Sequence, residues 1–351
     1  MLSSTVCKRI LIQFLFAIPL LLLPPSAFSA ACTTQAQMTP VQRDLLASSA
    51  RTVSAQIQSG NVQAIRANTI PEVAANFNGI LQSVTDLRPL IEQATITVDT
   101  LYILDSSSDP ANASSTEFFC GSPVVMLTFN DLPPGTYALV VLHATGVAKP
   151  QQISLILSQT SGKRWMLAGF FDKPMTQAGH DGLWYWVSAR KFAQARADWA
   201  AWFYYRQAAF LLNPIDLMSS PNFQKLQHES DAVQHSGLPL TQPMTLSAPG
   251  EAFTVTAIDP TTEFGPLDLE IDYTPNAMQA ALLRNPQTAR KQVTDVMLAV
   301  LEQHPDLRNA FHGMWVRADQ GTNSLFALEL PMSGIPGSST SEPATGVSNS
   351  R

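Results

Sequence analysis

Cysteine is scarce, three residues in 351, which is too few for a disulfide-built scaffold. Charge is scarce as well. Asp, Glu, Lys and Arg make up 14% of the chain, against ~25% in an average soluble protein. Apolar residues nevertheless reach 45%, enough to bury a core, so a mainly disordered or coiled-coil chain is excluded. There is no basic surplus, since 21 Lys and Arg face 27 Asp and Glu. A surface built to neutralise phosphates is therefore not expected, and neither is a nucleic-acid partner. Beyond Leu23 no apolar run reaches the ~20 residues that span a bilayer.

Motifs that carry chemistry are missing too. The chain has no G-x-S-x-G elbow, no G-x-x-x-x-G-K loop, no G-x-G-x-x-G turn and no H-x-x-x-H pair. His228-Glu229 and His180-Asp181 are adjacent couples, which do not share a helical face. The sequence thus predicts no catalytic constellation, no cofactor and no metal.

What the chain does have begins at its start. Lys8 and Arg9 precede an apolar run from Ile10 to Leu23, and Pro24, Pro25 and Ser26 end it. Small residues follow at Ala27, Ser29, Ala30 and Ala31. This order predicts a signal peptide over 1–31, cleaved after Ser29 or Ala31. Loss of Lys8 and Arg9 takes the net charge from −6 to −8. The expected destination is the periplasm or the exterior.

Ser29-Ala30-Ala31-Cys32 also resembles a bacterial lipobox, with Ser where Leu is usual. Cys32 could carry a lipid, which would be the chain's sole tie to a membrane. It could instead pair with Cys120, the other cysteine that survives cleavage, in an oxidising compartment. Both readings stand at this point.

Five segments follow the leader, and together they predict an α+β protein. Thr39-Pro40-Val41-Gln42 opens a helix with a capping box and Pro at its first position, and Gly60 closes it. A second helix runs from Pro71 toward Pro89 with apolar residues at three-and-four spacing. Alternating runs at Ile96–Tyr102, Ile153–Leu157 and Trp165–Phe171, and short apolar runs at Val124–Phe129 and Tyr137–Leu142, predict strands. Residues 35–175 therefore form N-terminal helices packed on a curved antiparallel sheet. Residues 181–230 are helical and aromatic, and 231–250, with Pro239, Pro243 and Pro249, read as a linker. Residues 251–332 alternate strand and helix patterns as a small C-terminal α/β sandwich. Residues 333–351 lack apolar periodicity and read as a disordered tail.

The helix-then-sheet order of 35–175, closed by Lys163-Arg164-Trp165-Met166-Leu167-Ala168-Gly169-Phe170, resembles the nuclear-transport-factor-like cone fold. The resemblance implies a pocket at the sheet's wide end, faced by Asp99 or His143. Tyr185, Ala189, Phe192, Ala201, Tyr205 and Ala208, with Leu212-Asn213-Pro214 after them, are similar to one tetratricopeptide repeat. That likeness implies a central helical hairpin in which Trp184, Trp186, Trp199, Trp202 and Tyr205 form either core or a ligand platform. The function expected is a non-catalytic binding or scaffold protein of the bacterial cell envelope, with an envelope protein or peptide as partner. The alternative is a small-molecule binder or enzyme that uses the first unit's pocket.

Overall fold

A computed structural model describes residues 30–233 and 235–337. The leader 1–29 and the tail 338–351 lie outside the described residues. The chain starts with β1 (Ala31–Thr34), α1 (Pro40–Ser59), α2 (Val62–Ala67), α3 (Pro71–Ala75) and α4 (Asn78–Ile91). Strands β2 (Thr95–Asp105), β3 (Ser115–Cys120), β4 (Val125–Asn130), β5 (Thr136–Thr145), β6 (Gln151–Gln159) and β7 (Trp165–Pro174) follow.

Local chemistry sets these boundaries. Thr39 and Gln42 close a reciprocal capping box at the start of α1, and Gly60 ends it at φ 66°, where a side chain would be strained. The single helix expected from Pro71 to Pro89 is instead two, α3 and α4. Asn76 leaves helical geometry, and Phe77 turns into the core. Pro89 does not end α4, because it falls in the last turn, two residues before Ile91.

The main sheet runs β1-β2-β5-β6-β7, and every neighbouring pair is antiparallel. It therefore begins at Ala31 rather than at residue 35. One face takes α1 and α4, with Leu46, Val53, Ile57 and Leu87 against Val140, Leu142 and Leu155. The other face takes a second layer in which β3 and β4 pair as a hairpin. Phe118, Leu127 and Phe129 of that layer pack on Tyr137, Leu139 and Val141. Covered on both faces, β5 reads as one apolar run rather than an alternation.

After a two-residue ladder of β8 (Thr176–Gln177) and β9 (His180–Asp181), Asp181 caps α5 (Gly182–Gln194), which α6 (Asp198–Leu212) follows. Then β10 (Met218–Ser219) returns to the first unit and adds to β4, and α7 covers Pro221–Asp231. The C-terminal part contains β11 (Met244–Ala248), β12 (Glu251–Thr261), β13 (Asp268–Thr274), α8 (Ala277–Leu282), α9 (Pro286–Gln303) and α10 (Leu307–Ala310). It closes with β14 (Gly313–Gln320) and β15 (Asn323–Pro331). Its sheet runs β11-β12-β13-β14-β15, with β13 and β14 parallel across α9 and the other pairs antiparallel.

Two sequence expectations change here. The 231–250 linker contains β11, whose Leu246 is buried in the sheet. Pro243 and Pro249 stand just outside that strand, where a missing N–H costs no ladder bond. The tail keeps its structure to residue 337, because Ile335 is buried and the Arg308 guanidinium donates to the Pro336 carbonyl at 3.2 Å. The helical hairpin shares one core with the C-terminal sheet, in which Tyr185, Phe203 and Tyr204 join Phe253, Tyr273, Val296 and Phe311. The Tyr204 hydroxyl donates to the Ala310 carbonyl across that contact.

Candidate functional site

The face of the main sheet opposite α1 and α4 carries an apolar groove of about 640 Å³ beside the second layer. Its floor arises from a bulge. Leu157 opposes Leu167, yet Ile156 opposes Gly169, so Ala168 is an extra residue in β7. Small residues at 168 and 169 leave room above Ile156. A Cβ at Gly169 would stand 3.3 Å from Ile156 Cβ and 3.4 Å from the Phe171 ring. Phe171 itself is 42% exposed, so apolar surface is open to solvent here.

Two segments wall the groove. On one side, Ile70 at the start of α3 is fixed to the edge of β7, where the Ile70 N–H donates to the Leu167 carbonyl at 2.9 Å. On the other side stand Phe129 and Leu132, with Leu217 behind them. Leu217 is held in place because the Thr128 N–H donates to its carbonyl at 2.9 Å. The Asn213-Pro214 turn delivers this segment, and the Ser154 hydroxyl donates to the Pro214 carbonyl at 3.1 Å.

The polar groups of the lining are few. Ser158 and Thr160 bring hydroxyls, and Glu72 brings one carboxylate. The Tyr137 hydroxyl donates to the Pro133 carbonyl at 2.8 Å. Burial, with help from Glu72, pushes that phenol above its ordinary pKa, so it stays neutral. No Lys, Arg or His is among the lining residues. The chemistry offered is apolar contact with a few hydrogen bonds.

Asp99 and His143 stand elsewhere. Asp99 sits at a bulge between Val98 and Thr100, and its Oδ1 lies 3.8 Å from His143 Nδ1. The other ring nitrogen of His143 lies 3.3 Å from Gln152 Oε1. His143 shares a sheet face with Tyr137 but stands six positions further along β5, roughly 20 Å at ~3.3 Å per residue. The pair therefore faces neither the groove nor any of its walls.

The aromatic candidates are mostly interior. Trp199, Trp202 and Tyr205 are buried, and Trp199 stacks on His304 with centroids 3.5 Å apart. The Trp186 indole N–H donates to Glu229 Oε2 at 2.7 Å, and Arg190 lies over its ring. Trp184, 40% exposed, stacks on His180 at 3.6 Å and is the outlying member.

Cys32 and Cys120 form a disulfide that joins β1 to β3. A lipid on Cys32 would need the same sulfur, so the bridge and the lipid are mutually exclusive.

Three metal-capable side chains converge in the C-terminal sheet. Asp268, His312 and Glu329 bring one donor atom each within 4.8 Å of one another. Sequence spacing gave no sign of this cluster, because its members stand on three separate segments. The groove left one trace, the Ala168-Gly169 pair inside an otherwise bulky strand. Comparison of the chain with protein-family models, curated proteins and solved structures finds no match.

Proposed function

We propose that this chain is an exported, non-catalytic binding protein that seats an apolar, uncharged small molecule in the groove between β7 and the second layer. The observation that carries this reading is the lining, in which Ile70, Phe129, Tyr137, Ile156, Phe171 and Leu217 surround about 640 Å³. That volume falls within the range of small-molecule pockets, ~300–1,000 Å³. Glu72 disfavours an anionic ligand, and no cation of the lining offsets it. Binding is favoured over catalysis because the lining holds no His, Lys or Cys that could activate the Ser158 or Thr160 hydroxyl or act beside Glu72. Export is supported by the Lys8-Arg9 and apolar-run order and by the Cys32–Cys120 bridge. No described helix is long and apolar enough to cross a membrane. The likeness to the cone fold rests on the helix-then-sheet order alone, since the groove is not lined by Asp99 or His143.

A second reading rests on α5, where Leu183, Trp184 and Val187 are exposed together. This apolar stripe suits an envelope protein or peptide as partner.

Titration with the neutral fluorophore N-phenyl-1-naphthylamine tests the first reading. Saturable enhancement is expected with the wild-type protein and is expected to be lost in Ala168→Trp, which fills the floor. Absence of saturation, or an unchanged response in a folded Ala168→Trp variant, counts against the groove. Capture of one envelope protein, lost on Trp184→Ala, would favour the second reading.

A further inference from the structure

We propose that Asp268, His312 and Glu329 form a binding site for a borderline divalent transition-metal ion, with Zn²⁺ the best match. Asp268 opens β13, His312 precedes β14, and Glu329 lies on β15. Pairing of β13 with β14 and of β14 with β15 draws the three segments together. Backbone bonds fix the middle one, since the His312 N–H donates to the Leu267 carbonyl and the His312 carbonyl accepts from the Met332 N–H, both at 2.8 Å.

The Asp268 carboxylate is the second, independent sign. Its side chain is 1% exposed. Oδ1 meets His312 Nδ1 at 3.1 Å, whereas the buried Oδ2 has no hydrogen-bond partner. A buried carboxylate oxygen without a donor has nothing to replace its lost hydration, which a bound cation would supply. Glu329 then brings a second carboxylate to the same spot. Two acids thus stand around one imidazole, with one buried carboxylate oxygen left without a donor.

Gly313 keeps the space between them open. A Cβ there would stand 2.9 Å from both Asp268 Oδ1 and Glu329 Oε1, and 2.7 Å from the Leu330 carbonyl. The carboxylates thus converge over the one residue without a side chain. The surrounding sheet face is acidic as well. Glu270, Asp272 and Asp319 gather around the single Arg317, which draws cations toward this end of the molecule.

The donor set decides the ion. One imidazole nitrogen and two carboxylates match Zn²⁺, whose ligands stand at about 2.0–2.2 Å and leave a position for water. Ca²⁺ takes about six to eight oxygens, and soft ions prefer thiolates, neither of which this site supplies. The donors lie within 4.8 Å of one another, and Glu329, on the partly exposed strand β15, is the less buried of the two carboxylates. His312 is half exposed, so an ion reaches the site directly from solvent.

Calorimetric titration of the untagged mature protein with Zn²⁺ alone tests the site, beside melting temperatures measured with and without the ion. One equivalent is expected to bind and to raise the melting temperature. The variants His312→Gln and Glu329→Gln, chosen because neither side chain is fully buried, are each expected to weaken that equivalent at least about tenfold. Both should keep the melting temperature of the metal-free wild type. Three results would overturn the proposal: no bound equivalent, an equivalent unchanged in both variants, or tighter binding of Ca²⁺ than of Zn²⁺.

Discussion

Cys32 in β1 and Cys120 in β3 stand 5.2 Å apart at their Cα atoms and are covalently joined. The bond ties the edge of the five-stranded sheet to the smaller sheet that walls the groove. The bridge therefore braces the sheet that walls the groove against the main sheet.

Reduction should lower the melting temperature by several degrees. A bridge that closes 88 residues contributes about 4–5 kcal/mol on the chain-entropy model, and engineered cases often deliver less. The double variant Cys32→Ala with Cys120→Ala should reproduce the loss. Thiol counting on the denatured mature chain should give none before reduction and two after it. One thiol throughout, in a protein that partitions into detergent, would point to lipid on Cys32.

Asp272 makes stability depend on pH in an unusual direction. Its carboxyl is raised to about 6, chiefly by burial, with Glu270, Asp319 and Asp259 adding to the rise and Arg317 offsetting it only in part. Its Oδ1 lies 3.6 Å from Arg317 Nε, an ion contact without a hydrogen bond. A folded-state value above the unfolded one means that the native protein holds more protons between pH 4 and 6. This group's contribution is therefore full below about pH 4 and is lost as the pH rises toward 6. Asp272→Asn should stabilise the protein at pH 7 by about 1–3 kcal/mol. That advantage should vanish near pH 4 in denaturant titrations. An advantage that is equal at both pH values would contradict the assignment.

Tyr204→Phe removes the hydrogen bond from α6 to the Ala310 carbonyl. The carbonyl is left in a buried site, so the cost should be about 1–2 kcal/mol in chemical denaturation. Because α5, α6 and the C-terminal sheet share one core, hydrogen exchange should slow together in α6, β13 and β14. Earlier exchange of the hairpin alone, with the sheet unaffected, would mean that the hairpin is an independent unit.

Much of this architecture was legible because it rests on local chemistry. Thr39 and Gln42 announce α1, and the periodic Val293, Val296, Met297 and Val300 announce α9. The alternation at Leu269, Ile271 and Tyr273 announces β13. What escaped depends on contacts distant in sequence. β1 has four residues and takes its strand form from Leu104 and Ile103 opposite it. β11 hides between two prolines, and β3, whose Phe118 and Cys120 face inward, is defined by its pairing with β4. The groove left little more than the Ala168-Gly169 pair in the sequence, because a bulge at Ala168 makes it and bulges leave no period to count. Asp268 and His312 stand 44 residues apart, so no motif spacing could join them. Asp99 and His143 stand on the paired strands β2 and β5, where the length of β5 carries His143 away from the groove.

If an apolar ligand enters the groove of the first unit, methyl NMR with isoleucine labelling will register it residue by residue. Ile70 and Ile156 line the groove, whereas Ile258 and Ile271 are buried in the C-terminal sheet. On titration with N-phenyl-1-naphthylamine, the methyl signals of Ile70 and Ile156 should shift saturably with one shared Kd, and those of Ile258 and Ile271 should stay in place. Saturable shifts at Ile258 or Ile271 with Ile70 and Ile156 unmoved, or no saturable shift at any of the four, would contradict the account.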